Sequence, residues 1–302
     1  YNFFYPLQII ALVSGLISLL KFAPGQAGII FNDIWPVVSN GKIVEQLYWG
    51  RLWGTMGGTN TAGNFFCILA TISLFYYNDN KEKAQLIFFL FFSFLTFVSL
   101  SFSSIATFLI INSFIILKKI NIKLIITSLC AISLVIFIIS QNEILSDIAQ
   151  KRLTSNFQSG SILPSNLQAR MGYWIDHVNI SFDNELHFLY GFGPGGVRHV
   201  QVEHGNPESF YFRIFNESGL LGIMVYFFGI VKLLLMINNF KYLGRLREEK
   251  ILLTLLIMIF LLQSIANEPF YSNGCSQIFA FIILYVSSKN FMINRLINSN
   301  EL

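Results

Sequence analysis

Long apolar runs, broken by short polar segments rich in lysine and arginine, dominate the chain. Eight of them approach the length of a helical span, about 20 residues or somewhat fewer where flanking side chains snorkel. They lie at about 4–20, 60–77, 84–101, 104–117, 123–140, 211–237, 250–266 and 275–289. The third and fourth stand close together, and Ser101-Phe102-Ser103-Ser104 leaves open one broken hairpin instead of two spans. No internal repeat, heptad or low-complexity tract accompanies the pattern. The expected fold class is all-α: a polytopic membrane helical bundle, one membrane domain over 1–302. Two long segments interrupt it, at 21–59 and 141–208, and the second is expected to be largely helical.

Composition supports a membrane protein and excludes other classes. Hydrophobic residues make up 54% of the 302, charged residues 12%, and Phe alone occurs 32 times. The mean hydropathy is +0.60. Soluble domains carry about 25% charged residues, so a cytosolic enzyme and a disordered chain are both excluded. Cys67, Cys130 and Cys275 are widely spaced in or beside apolar runs, which suggests neither a disulfide framework nor a metal site. The chain opens on Tyr1 with no recognisable signal peptide, so further spans upstream are expected.

Charge orients the bundle. Lys81, Lys83, Lys118, Lys119, Lys123, Lys241, Arg245, Arg247, Lys250, Lys289 and Arg295 crowd into roughly 40 loop positions. Lys21, Lys42, Arg51, Lys151, Arg152, Arg170 and Arg198 are spread over roughly 110 positions on the other side. The positive-inside rule places the first set in the cytoplasm. Lys232 lies in a span near that side and can snorkel. The net charge of +4 therefore follows membrane topology and does not point to nucleic acid. All four histidines (177, 187, 199 and 204) fall in the larger outer segment, so any chemistry is expected on the outer face.

Four motifs stand out, and each has a structural alternative. Arg51 to Asn60 joins an arginine to glycines at a span start, a setting suited to a lipid phosphate; an interfacial anchor beside a glycine turn explains it too. In Asn166–His177 a helical reading puts Arg170, Trp174 and His177 on one face, next to Tyr173. That face suits a sugar beside a phosphate, or equally an amphipathic helix lying on the bilayer. Tyr190-Gly191-Phe192-Gly193-Pro194-Gly195-Gly196 lacks the lysine and hydroxyl of a phosphate loop and reads as a tight turn. His204 to Gly222 opens the longest span, with Arg213 and Glu217 at i, i+4 and Glu208 just outside. Ionisable groups at a span entrance are paired or functional. An Arg213–Glu217 ion pair, with Gly219 and Gly222 allowing close helix packing, is the structural reading. Metal-ligand spacing among the histidines and a Gly-x-Ser-x-Gly elbow are both lacking.

In order and topology the motifs resemble the O-antigen polymerase and ligase superfamily of bacterial polytopic membrane proteins. Arg51 to Asn60 is similar to its span-start motif, with Gly58-Thr59 where a proline is usual. Ser103-Ser104 stands where the family has Ser-Arg. Arg170-Met171-Gly172-Tyr173-Trp174, Gly191-Phe192-Gly193 and Glu217-Ser218-Gly219-Leu220-Leu221-Gly222 match the later motifs. Aligned from that end, the family's His-Asn falls on Glu208-Ser209, with His204 four residues early, which favours the polymerase branch over the ligase.

The resemblance implies a GT-C-like architecture in the bacterial inner (plasma) membrane. It also implies metal- and cofactor-independent transfer of a glycan from an undecaprenyl-pyrophosphate-linked oligosaccharide at the periplasmic face. Membrane lipid and a chain-length regulator protein are the further partners. Arg51 and Arg170, assisted by Arg152 or Arg198, would hold the pyrophosphate. Glu208 or His204 would be the base, and Trp174, Tyr173 and Tyr211 would stack on sugars. Asn60 and Glu217 complete the substrate-binding set. A ligase acting on lipid A-core, a lipid-linked oligosaccharide flippase and a non-catalytic organising subunit remain as alternatives.

Overall fold

The computed structural model describes residues 4–20, 37–39, 42–44, 59–118, 165–196, 208–242, 246–272 and 274–298. Their helices are α1 (Tyr5–Leu20), α2 (Thr59–Asn80), α3 (Lys83–Val98), α4 (Phe102–Lys118), α5 (Ser165–Phe182), α6 (Glu185–Tyr190), α7 (Phe210–Asn238), α8 (Leu246–Ala266) and α9 (Cys275–Asn298). Short 3-10 turns follow α7 and α8. One departure from an all-helical chain lies in the first long interruption. There β1 (Val37–Ser39) pairs antiparallel with β2 (Lys42–Val44), Val38 opposite Ile43. β-Branched residues on both sides of Asn40-Gly41 favour such a hairpin locally.

Seven of the eight apolar runs lie on helices, and 123–140 lies outside the described residues. The third and fourth runs are two helices, separated by a turn at Ser99–Ser101 in which Leu100 has φ +50. Among the described residues three helices are long and apolar enough to cross a membrane: α7, residues 248–266 of α8 and residues 275–295 of α9. α1, α3 and α4 are apolar but shorter. α7 carries exposed Met224, Val225, Phe228, Val231 and Leu235, recurring every three or four residues, as a lipid-facing stripe would.

The chain divides into two compact units, 1–151 with 271–277 and 152–270 with 278–302. In the first, α2 packs on α3 and α4, and α1 packs on α3. Apolar residues of α2 are buried on every side from Ala62 to Leu74, as in a central helix. Polar side chains join its neighbours. Gln8 Nε2 donates to Ser73 Oγ (2.7 Å) and Gln85 Oε1 (2.9 Å), and Gln85 Nε2 donates back to Gln8 Oε1 (3.2 Å). Ser104 Oγ donates to Asn64 Oδ1 (2.6 Å), and Asn112 Nδ2 reaches Thr71 Oγ1 (3.3 Å). Gly63 faces the Ser99–Ser104 turn so closely that a Cβ would overlap the serine side chains. Ser104 is thus a packing residue of the α2–α4 contact.

In the second unit, α5 and α6 pack on the start of α7, and α7 packs on α8. At the far end of these helices, Lys250 Nζ donates to Asn238 Oδ1 (2.7 Å). Asn239 Nδ2 donates to Asn290 Oδ1 (2.9 Å), and Tyr285 Oη donates to the Glu249 carboxylate. Phe270 anchors the other end, against Phe210 (4.4 Å between centroids), Phe260 (5.3 Å) and Phe279 (4.6 Å).

The Gln8–Gln85 exchange generates a test. Gln8→Leu strands the Gln85 amide in an apolar interior and is expected to cost about 1 kcal/mol. Gln8→Leu/Gln85→Leu removes both partners and recovers part of that loss. Thermal unfolding of the detergent-purified protein measures both, and strictly additive losses would show that the two amides do not support each other.

Candidate functional site

A break in α7 organises the site. Gly219 has φ +62 and ψ −162, so the helix divides into 210–218 and 220–238. The second part rises about 28 Å, close to the roughly 30 Å of bilayer hydrocarbon. The first part carries Arg213 and Glu217, so the break separates this charged pair from the long apolar stretch.

The break leaves helix carbonyls that need donors. The turn after α6 supplies them: Phe192 N–H donates to Asn216 O (2.7 Å) and Gly193 N–H to Glu217 O (3.1 Å). The glycines make this approach possible. Asn184 Oδ1 caps the start of α6 by accepting from Leu186 N–H (2.9 Å), and Gly191, at φ +72, ends it. A Cβ on Gly191 would overlap the backbone at Glu217 and Ser218, and one on Gly219 would overlap that of Leu189 and Tyr190. The Gly-x-Gly segment is therefore a tight turn, and its partner is the Glu-Ser-Gly break.

α5 lays the expected face on the first part of α7. Trp174 stacks on Phe212, with centroids 5.2 Å apart and planes 11° from parallel. His177 is fully buried, with Nδ1 against Asn216 Nδ2, while Ser181 Oγ donates to Asn216 Oδ1 (3.0 Å). Since Oδ1 accepts from the serine, the amide nitrogen faces the ring and donates, making Nδ1 the acceptor. His177 thus locks α5 to α7.

Arg170, one turn before Trp174, pairs with Glu208 through Nη2 and donates from Nη1 to Ala266 O (2.7 Å). Glu208 has φ +45, a left-handed conformation that non-glycine residues adopt mainly where surrounding contacts impose it. Arg213 binds two carboxylates, Glu217 through Nε (3.2 Å) and Glu268 through Nη1 (2.8 Å). The start of α7 is also stitched to the end of α8. Ser209 Oγ donates to Ser264 O (3.1 Å), Phe210 N–H to Asn267 O (3.0 Å) and Tyr211 Oη to Leu261 O (2.8 Å).

The structure thus gathers Arg170, Trp174, Glu208, Tyr211 and Glu217 at one end of α7. Tyr211 is engaged by its hydroxyl bond and by stacking on Phe227, and one face of Trp174 is covered by Phe212. Tyr173 is exposed on α5. Asn60 starts α2 in the first unit. Arg51, Arg152, Arg198 and His204 lie outside the described residues. The Arg213–Glu217 pair of the structural reading is present, but it is one half of a bridge completed by Glu268, which sequence reasoning missed. Its only signal was an acidic residue before a proline, Asn267-Glu268-Pro269, where an apolar run ends. Asn216, hidden within an apolar stretch, was missed too.

Comparison of the chain with protein-family models, curated proteins and solved structures gave no match.

The junction predicts a graded glycine series. Gly193→Ala has positive φ but open space around it, so it should lose only the backbone part, roughly 1–2 kcal/mol. Gly191→Ala and Gly219→Ala add backbone overlap and should lose more. Gly172→Ala, with nothing near its Cβ and ordinary φ, should stay near wild type. Thermal unfolding in detergent ranks the four; a Gly219→Ala protein as stable as Gly172→Ala would contradict the docking.

Proposed function

We propose that the protein is a metal-independent glycosyltransferase, a polymerase of surface polysaccharide. It transfers a glycan from undecaprenyl pyrophosphate to a sugar hydroxyl of another lipid-linked repeat unit at the periplasmic face of the bacterial inner membrane. The reading draws on the family resemblance, which also implies a GT-C-like arrangement for the eight spans read from the apolar runs. The observation that carries it is the meeting of three motifs at one end of α7: the Arg170 helix, the Gly191-Phe192-Gly193 turn and the Glu217-Ser218-Gly219 break. Their order along the chain supported the resemblance, and their convergence is what a shared site requires.

The chemistry follows from charge. Breaking the sugar C1–O bond builds positive charge on the ring and negative charge on the departing pyrophosphate. Arg170 uses one donor on Glu208 and one on Ala266 O among the described residues; a guanidinium has five, leaving a fork for phosphate oxygens. Among the described residues two arginines and three glutamates meet here, a net charge of −1, so a pyrophosphate needs further cations. The outer-segment arginines Arg51, Arg152 and Arg198 are the candidates for that role. Arg170 gains most as charge develops in a partly dry groove.

Purified full-length protein mixed with the lipid-linked repeat unit alone should produce a ladder on a gel. Transfer only when lipid A-core is added would instead mean a ligase. Arg170→Ala is expected to lower chain growth by about 10²-fold or more, with membrane insertion intact. Arg170→Lys should recover little, because a lysine cannot reproduce the fork; normal-length polymer from Arg170→Ala would remove Arg170 from the site. The interrupted helix at Gly219 also favours a second reading, since transporters use broken helices at their sites. In cells lacking the protein, lipid-linked donor trapped on the cytoplasmic side would indicate a flippase, and donor accumulated outside a polymerase.

A further inference from the structure

Among the described residues, Glu208, Glu217 and Glu268 are the carboxylates at the entrance of α7, and they differ in what they have left to offer. Glu208 pairs with Arg170, which is only 15% exposed. Glu217 accepts from Arg213 through Oε1. Glu268 accepts from Arg213 through Oε2, while its Oε1 is buried without a hydrogen-bond partner among the described residues. Leaving such an acceptor unsatisfied costs about 1–3 kcal/mol, and more for a charged group. Native proteins keep few of them, and a catalytic role is one reason for keeping one.

The carboxyl group is held firmly in place. Oε2 is fixed by Arg213, which Glu217 holds from the other side. The main chain before it is pinned twice, at Ala266 O by Arg170 and at Asn267 O by Phe210 N–H. After it come Pro269, with its restricted φ, and Phe270, packed among Phe210, Phe260 and Phe279. A second buried group at the same end of α8 is unsatisfied as well: Gln263 is fully buried, and both its amide atoms lack partners among the described residues. A ligand hydroxyl suits the Glu268 oxygen, because it can donate to a carboxylate. A phosphate would set anion against anion at Glu268. The unpaired oxygen therefore suits the acceptor sugar, not the pyrophosphate.

Building on the glycosyl-transfer reading, we propose that Glu268, and not Glu208, is the base for the acceptor sugar hydroxyl, with Arg213 and Glu217 as positioning residues. The acceptor oxygen forms a bond to the donor's anomeric carbon as the bond from that carbon to the pyrophosphate oxygen breaks. The electron pair of the broken bond leaves with the pyrophosphate. The hydroxyl proton passes to Glu268 Oε1. Among the described residues Arg170 and Arg213 are the cations of this end, and Glu208 and Glu217 its other anions.

The test is the rate of ladder formation from lipid-linked repeat units as a function of pH. It compares wild type, Glu268→Gln, Glu268→Asp and Glu208→Gln, with each protein's folding checked by thermal unfolding. Glu268→Gln keeps an oxygen for Arg213 but cannot take a proton. Its kcat is expected to fall by about 10²-fold or more with little change in KM, and the acid limb of the wild-type profile should vanish. Glu268→Asp should retain a ladder with reduced kcat and a displaced acid limb, and it decides the matter should the Gln variant not fold. Glu208→Gln, whatever its rate, should keep the acid limb. The assignment is overturned by a Glu268→Gln enzyme within a few-fold of wild type, by a Glu268→Asp profile identical to wild type, or by loss of the acid limb in Glu208→Gln instead. A wild-type protein that forms no ladder and transfers nothing to lipid A-core overturns the glycosyl-transfer reading itself; a wild-type ladder beside an active Glu268→Gln overturns only the role of Glu268.

Discussion

A helix that ends inside or at the edge of a bilayer leaves backbone carbonyls where water is scarce, and each must find a donor within the protein. α7 meets this constraint at Gly219. Its first part closes with Asn216 O and Glu217 O, and the amides of Phe192 and Gly193 answer them. That contact ties α6 to α7 and sets the height at which the apolar stretch from Leu220 to Asn238 begins. It also sets Arg213 and Glu217 apart from that apolar stretch. The buried Ser181–Asn216–His177 chain of hydrogen bonds then holds α5 along the same short helix. The position of Arg170 depends on both.

The charges form a framework around this junction. Arg170 links α5 to Glu208, two residues before α7, and to the last carbonyl of α8, while Arg213 links α7 to the segment after α8. α5, α7, the end of α8 and the segments beside them are thus held by two guanidinium groups, each using a fixed fork of donors that a lysine lacks. Partly buried ion pairs of this kind are weak evidence for stability, because desolvation offsets much of the attraction. Their value lies in geometry: they set the orientation of Glu208 and Glu268 at the entrance of α7.

Much of this was legible in the sequence where a pattern had a physical period. The spacing of Arg170, Trp174 and His177 marked one face of a helix, and that face packs on α7. The i, i+4 spacing of Arg213 and Glu217 foretold their pair. The glycines of residues 191–196 foretold a turn. The docking of that turn on Gly219 was not legible, because the two segments are joined by backbone atoms, which every residue carries and no motif records. Glu268 escaped notice for a related reason: its importance comes from Arg213, more than fifty positions away, and nothing around it is periodic.

The sequence by itself determined the apolar runs, their helical form and the side-chain faces, because burial and helix geometry act over a few turns. Among the described residues α1, α3 and α4 are apolar helices of 16 or 17 residues, and the serine turn at 99–101 separates α3 from α4. Tertiary structure alone decided where α7 breaks, which carboxylates share Arg213 and which buried carboxylate oxygen has no partner among the described residues. Those outcomes depend on backbone carbonyls and guanidinium donors finding partners across distant segments. That matching takes place in space and leaves no periodic trace along the chain.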